Sequence, residues 1–116
     1  MIRTETATDI TDVTEETFDT EVLGAALPVL VEFTADWCGP CRQLAPVLRE
    51  IAHEEADRLR IVQVDVDRRP SIAARYGVLA MPTLMLFRAG EPVASIGGAR
   101  PKRKLLQELA DALDRG

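Results

Sequence analysis

Residues 29–33 are the part of the sequence that most constrains the fold. The run is almost wholly apolar and rich in β-branched residues, which is typical of a strand buried on both faces. Such a strand lies inside a sheet that carries helices on each side. Glu32 is the one charged residue of the run. The run therefore predicts an α/β domain and makes this glutamate conspicuous.

Periodicities along the rest of the chain predict helices and strands in alternation. Apolar residues at helical spacing predict a long amphipathic helix over 40–57, in which Pro46 predicts a kink rather than a break. The apolar runs 83–87 and 92–96 predict a β-hairpin. The order of elements predicts a layered α/β sheet with this hairpin at one end. Further helices are predicted over 14–26, 70–76 and 102–113, and further strands over 61–66 and near 10–13.

Length and charge distribution indicate one domain behind an acidic segment. The chain has 116 residues, a length typical of a single domain, and contains no internal repeat. The first 21 residues carry seven acidic side chains and one basic side chain, so they supply most of the net charge of -5. We expect residues 1–9 to be a flexible, Thr-rich acidic segment and residues 10–116 to be the folded domain.

Charge and composition argue against two classes of ligand. The chain has 14 basic against 19 acidic side chains and only 4% aromatic residues, so a nucleic-acid-binding surface is not expected. No apolar stretch approaches the ~18 to 20 residues of a membrane span. The N-terminus lacks the basic patch and apolar run of a secretory signal. We therefore expect a cytoplasmic protein that binds neither nucleic acid nor membrane.

The two cysteines, Cys38 and Cys41, are three positions apart. A structural disulfide usually bridges distant segments, because closing so short a loop removes little entropy from the unfolded chain. A structural zinc site needs four ligands, whereas the sequence offers no second cysteine pair and a single histidine, His53. We therefore expect redox chemistry and no bound metal.

Residues 37–41, Trp-Cys-Gly-Pro-Cys, fall between the predicted buried strand and the long helix. Backbone N–H groups at a helix N-terminus and the helix dipole lower the pKa of a thiol placed there. Cys38 is therefore the expected nucleophile. Cys41 lies on the same helical face and is the expected resolving thiol. Pro40 suits a first helical turn, and Gly39 lets backbone or substrate approach closely.

This motif, together with Met81-Pro82-Thr83, resembles the thioredoxin family. The resemblance covers the chain from about residue 14 onward and implies a thioredoxin fold, with a central mixed sheet of four to five strands flanked by helices on both faces. It implies that Cys38 attacks a disulfide of a client protein and that Cys41 resolves the mixed disulfide. It also implies a monomer without a bound cofactor, which receives electrons from NADPH through a separate flavoprotein, thioredoxin reductase.

The same resemblance implies a substrate groove around the cysteines. Pro82 is implied to be a cis-proline opposite the cysteine pair, and Met81 to pair its backbone with an extended substrate strand. From the residues alone, a core ring at Trp37 and an edge-strand proline at Pro82 stay open. The groove is implied to be completed by Trp37, Gly39, Pro40, Gly98 and residues 78–81.

Glu32 lies six positions before Cys38, where thioredoxins usually carry a buried aspartate. Burial in an apolar strand raises the pKa of a carboxyl group, which suits a general acid or base near neutrality. We expect Glu32 to take the proton of Cys41 as Cys41 attacks the mixed disulfide. The alternative is a carboxylate without a role at the surface end of the strand. Gln63 replaces a lysine often found nearby, so a charge that would lower the pKa of the acid is missing.

The direction of electron flow stays open at this level. The same cysteine pair oxidises or isomerises disulfides when the Cys38 thiolate is strongly stabilised. The groove could also bind a partner without turnover. We expect a reductant of client proteins, because by resemblance the Gly-Pro pair between the cysteines favours it.

Overall fold

The computed structural model describes residues 10–115. It contains the strands β1 (Thr11–Asp12), β2 (Val29–Thr34), β3 (Arg60–Asp65), β4 (Thr83–Arg88) and β5 (Glu91–Gly97). They form one mixed sheet in the order β1-β3-β2-β4-β5, in which β2 pairs in parallel with β3 and antiparallel with β4. The predicted sheet is confirmed, including its hairpin and its short first strand. The predicted segment 1–9 lies outside the described residues.

Helices cover both faces of this sheet, as predicted. One apolar cluster packs the two longer helices against one face, and a second cluster packs the shorter segments against the other. The first long helix continues past Pro46 without a break, while the kink stays a prediction. The helices are α1 (Gly39–Glu54), α2 (Pro70–Arg75) and α3 (Lys102–Arg115), together with a π-helical segment, Asp19–Leu23.

The predicted helix over 14–26 is wrong in its length and its type. The hydroxyls of Thr14 and Thr17 each accept a hydrogen bond from the other residue's backbone N–H, which is the reciprocal pattern of a helix N-cap. The backbone N–H groups of Phe18 and Glu21 donate to carbonyls four residues back, and the regular helical segment is Asp19–Leu23. The N–H of Gly24 then donates to the carbonyl five residues back, which is the spacing of a π-helix.

Strand β2 lies at the centre of the sheet and is buried on both faces. Each of its first five residues is at most 3% exposed. Alternate side chains point to opposite faces, so Leu30 shares a core cluster with α1 and α3 while Val31 shares one with α2. Glu32 lies on the α1 side. Within residues 10–114 it is the only buried charged residue.

The sheet brings two distant turns to the same end of the molecule. Phe33, near the end of β2, pairs with Thr83, the first residue of β4. The chain therefore leaves β2 toward α1 next to the point where it enters β4. The Trp-Cys-Gly-Pro-Cys motif and the Met81-Pro82 peptide flank these two points, so the fold brings them together.

Candidate active site

Cys38 and Cys41 form a disulfide at the N-terminus of α1. Their Cα atoms are 5.3 Å apart, and each residue is 3% exposed. Cys38 is the N-cap of the helix, and its Sγ accepts a hydrogen bond from the backbone N–H of Cys41 at 3.2 Å. This donor and the helix dipole both stabilise negative charge on the Cys38 sulfur. As predicted, the sulfur of Cys38 lies at a helix N-terminus.

Met81, which precedes Pro82, forms the wall beside the disulfide. Their peptide bond is cis, as the family resemblance implied. The Met81 side chain packs against the small cluster that contains both cysteines. The carbonyl of the buried Pro82 accepts a hydrogen bond from the N–H of Gly98 at 2.9 Å, and Gly98 has a φ of +83°, which glycine adopts without strain. Gly98 is thereby tied to the cis-proline.

Trp37 lies at the surface with 65% of its area exposed, so the possibility of a core ring is wrong. Its indole Nε1 donates a hydrogen bond to Oδ2 of Asp67 at 2.9 Å. The carboxylate of Asp65 accepts the backbone N–H groups of Asp67 and Arg68 and so shapes the turn after β3. The sequence does not predict that Asp67 binds Trp37, because the two residues lie 30 positions apart and no local pattern links them.

Glu32 is 3% exposed, so it does not lie at a surface end of its strand. Its Oε2 has no hydrogen-bond partner among the described residues. Burial raises the pKa of this carboxyl group from 4.5 to about 7. A group with such a pKa exchanges protons readily near neutral pH.

Glu32 and Cys41 border the same cleft, which has a volume of about 270 Å³. This volume accommodates several water molecules, each of which takes about 30 Å³ in the liquid. At its rim, Arg42 Nη1 donates a hydrogen bond to the backbone carbonyl of Asp36 at 2.7 Å and thereby ties the start of α1 to the turn before it. The cleft connects the buried carboxyl group and the second cysteine with solvent.

The remaining predicted site residues form the first turn of α1. Pro40 is exposed there. A Cβ placed on Gly39 would lie 3.9 Å from Nη2 of Arg42, an ordinary contact, so the chain itself does not crowd this glycine. Within the part of the chain that the structure describes, no group of three or more His, Cys, Asp or Glu residues is arranged to hold a metal ion. In the same part, no helix is long and apolar enough to cross a membrane.

Comparison with known proteins decides the family. The thioredoxin family model matches residues 9–111. The chain belongs to the thioredoxin family. Thioredoxin of Mycolicibacterium smegmatis is 52% identical over 103 residues, which are 87% of this chain and 92% of that protein. Thioredoxin 1 of Synechococcus elongatus is 48% identical over 97 residues, which are 84% of this chain and 91% of that protein.

A fusion protein is also similar to this thioredoxin. The bifunctional thioredoxin reductase/thioredoxin of Mycobacterium leprae is 45% identical over 102 residues, which are 88% of this chain and 22% of that protein. Family membership and the Cys38–Cys41 disulfide together show that this thioredoxin is a thiol-disulfide oxidoreductase. The fold predicted from the motif is confirmed as the thioredoxin fold.

The raised pKa of Glu32 predicts a pH-dependent stability. Because the folded pKa is about 7 and the unfolded value near 4.5, the stabilising contribution is complete below pH 4.5 and is lost as the pH rises through 7. Glu32→Gln removes this dependence. In urea unfolding of the oxidised proteins, we expect the free energy of unfolding of Glu32→Gln to rise relative to that of the parent between pH 5 and 8. The rise is about 3 kcal/mol at pH 8. The exposed Glu91→Gln serves as control, and a pH-independent difference for Glu32→Gln would contradict the assignment.

The hydrogen bond between Trp37 and Asp67 predicts that the carboxylate fixes the indole. Asp67→Ala removes the acceptor, so the ring gains freedom and the KM for a protein disulfide rises about three- to tenfold with little change in kcat. Asp67→Asn keeps an acceptor oxygen, so its KM is expected to stay close to that of the parent protein. Because Trp37 is the only tryptophan, time-resolved fluorescence anisotropy measures its freedom directly. Unchanged anisotropy in Asp67→Ala would contradict this role.

Proposed function

We propose that this thioredoxin works as a reductant of disulfides in client proteins. The observation that carries the proposal is the N-cap position of Cys38, whose sulfur accepts the N–H of Cys41 at the start of α1. This geometry gives Cys38 the thiolate that attacks a client disulfide at the entrance of the groove. Membership in the thioredoxin family supports the reductive direction. Cys41 lies one helical turn further in and attacks second.

The reaction proceeds in two exchanges that transfer two electrons to the client. The Cys38 thiolate attacks one sulfur of the client disulfide, a bond forms between Cys38 and the client, and the other client sulfur leaves as a thiolate that takes a proton from solvent. Cys41 then loses its proton, attacks the Cys38 sulfur and forms the Cys38–Cys41 disulfide. The second client sulfur leaves as a thiolate, so the client is reduced and the thioredoxin oxidised.

Glu32 is the proposed acceptor of the Cys41 proton. It borders the same cleft as Cys41, its Oε2 lacks a partner among residues 10–115, and its pKa of about 7 makes it a base matched to neutral pH. The cleft then gives the transferred proton a route to water. In this role Glu32 replaces the aspartate that thioredoxins usually carry at this place.

The proposed client groove lies between the exposed Trp37 and the cis-proline wall. An extended client segment pairs with the backbone of Met81, next to the cis bond to Pro82. The hydrogen bond from Gly98 to Pro82 holds the far side of the groove. Gly39 leaves room for the incoming chain, and Pro40 borders the entrance from the first turn of α1.

We further propose that the oxidised protein is recycled by a thioredoxin reductase, a flavoprotein that supplies electrons from NADPH. The similarity to one part of a bifunctional thioredoxin reductase/thioredoxin supports this partner. No cofactor is proposed to bind this chain itself, and the protein is proposed to act as a cytoplasmic monomer. Client proteins bind through their backbone and the disulfide.

Cysteine variants test the reductase function. In reduction of a protein disulfide coupled to NADPH and a thioredoxin reductase, we expect Cys38→Ser to abolish turnover, because no nucleophile remains. Cys41→Ser is expected to stop after one exchange and to accumulate a mixed disulfide at Cys38, visible by mass spectrometry. Turnover that survives in Cys38→Ser would contradict the proposal. Full biological activity of the Cys38→Ser/Cys41→Ser variant would indicate a binding module instead.

The role of Glu32 is tested in the second exchange alone. When the reduced protein is mixed with Ellman's reagent in a stopped-flow instrument, the first release of chromophore reports the attack by Cys38 and the second reports resolution by Cys41. We expect Glu32→Gln to slow only the second release, by about 100-fold at pH 7, because a general base is lost. Glu32→Asp keeps a carboxyl group and is expected to recover part of the rate, and the exposed Glu16→Gln is the control. An unchanged second release in Glu32→Gln would exclude this role.

A further inference from the structure

A polar row crosses half of the sheet beneath α1. Asp12 of β1 is paired in register with Gln63 of β3, and Gln63 is paired with Glu32 of β2. Residues in register on adjacent strands lie on the same face, about 4.8 Å apart. Beyond Glu32 the row continues with Leu84 and Ile96, both buried. Glu32 is therefore the last polar member of a row that runs from the sheet edge into the apolar core.

The amide of Gln63 is turned toward the edge of the sheet. Its Nε2 donates a hydrogen bond to Oδ1 of Asp12. A carboxylate only accepts hydrogen bonds, so Asp12 selects the NH₂ end of the amide. On the other side of Gln63, the Oε2 of Glu32 has no partner among the described residues. Gln63 therefore donates a hydrogen bond to the exposed Asp12 and not to the Oε2 of the buried Glu32.

Other charged groups border the cleft that Glu32 shares with Cys41 and a second cleft, which is lined by Glu32, Ala45 and Arg49. Most of the cations are already bound to other groups: Arg42 to a backbone carbonyl, Arg68 to Asp36 and Asp65, and Arg69 to Glu15. Burial is the cause of the raised pKa of Glu32. The clefts are bordered by the acids Asp12, Asp36 and Asp65, the cations Arg42, Arg49, Arg68 and Arg69, and the neutral Gln63 and Cys41.

The geometry points to Asp12 as a positioning residue for proton transfer in this thioredoxin: by holding the Gln63 amide, it keeps a hydrogen-bond donor away from Glu32. The inference rests on the proposed role of Glu32 and adds a residue on a different strand. Without Asp12 the NH₂ group of Gln63 is free to turn toward Glu32 and to stabilise its carboxylate. Glu32 would then hold its proton less strongly and become a weaker base toward Cys41.

Titration of Glu32 in the oxidised protein tests this inference. In that form Cys38 and Cys41 are joined and do not titrate, so the carboxyl group is followed without coupling to a thiol. The measurement is carbon-13 NMR of the Glu32 side-chain carboxyl, assigned by its loss in Glu32→Gln. The proteins are the parent, Asp12→Ala, Gln63→Leu and the double variant, with removal of the exposed carboxylate in Asp111→Ala as control.

We expect Asp12→Ala to lower the pKa of Glu32 by about one pH unit when Gln63 is present and to leave it nearly unchanged in the Gln63→Leu background. An equal shift in both backgrounds would show a direct charge effect and overturn the inference, as would no shift in either. Asp12→Val also lacks an acceptor and favours a strand, and it replaces Asp12→Ala if that variant does not fold.

Stopped-flow measurement of resolution separates this inference from the proposed function. We expect the pH midpoint of the second chromophore release to move with the pKa of Glu32 in Asp12→Ala. A moved NMR titration with an unmoved kinetic midpoint would support the positioning by Asp12 and contradict the catalytic role of Glu32. An unmoved NMR titration alongside a slow second release in Glu32→Gln would overturn the positioning and leave the catalytic role intact.

Discussion

The burial of β2 at the centre of the sheet is the constraint on which the rest of this thioredoxin depends. Because both of its neighbours are strands and both of its faces are covered, its end is held rigidly. The helix that follows therefore begins at a fixed place, with Cys38 as its N-cap. The antiparallel neighbour β4 brings the cis Met81–Pro82 bond to the same end of the sheet. A loop-borne cysteine pair would lack this positioning.

The fold has opposite effects on the negative charge of two ionisable groups. At Cys38, an N–H donor and the helix dipole favour negative charge on the sulfur. At Glu32, burial and the lack of a partner for Oε2 within the described part of the chain disfavour negative charge on the carboxyl group. The nucleophile is thus prepared as an anion, while the carboxyl group holds or releases a proton near neutral pH. Glu32 lies on β2 and Cys38 at the start of α1, so the two groups have different surroundings within one site.

Features with a local signature were predictable from the sequence, and features made by distant residues were not. The apolar run of β2, the helical spacing in α1 and the turn between β4 and β5 each follow from neighbouring residues. The segment 14–26 begins with reciprocal N-cap bonds between Thr14 and Thr17, but its helix ends at Leu23 with π-helical spacing, which no local pattern predicts. The hydrogen bonds from Trp37 to Asp67 and from Gln63 to Asp12 join residues 30 and 51 positions apart and leave no periodicity to detect.

The reduction potential of the Cys38–Cys41 pair tests the central claim most directly, since reductive function requires that the helix N-terminus stabilise the thiolate only moderately. The pair is equilibrated against a series of glutathione ratios, and the oxidised fraction is read by mass spectrometry after the free thiols are alkylated. The account predicts a potential near or below about -250 mV, in the range of cytosolic reductants. A value near or above about -180 mV would contradict it and indicate an oxidant or isomerase.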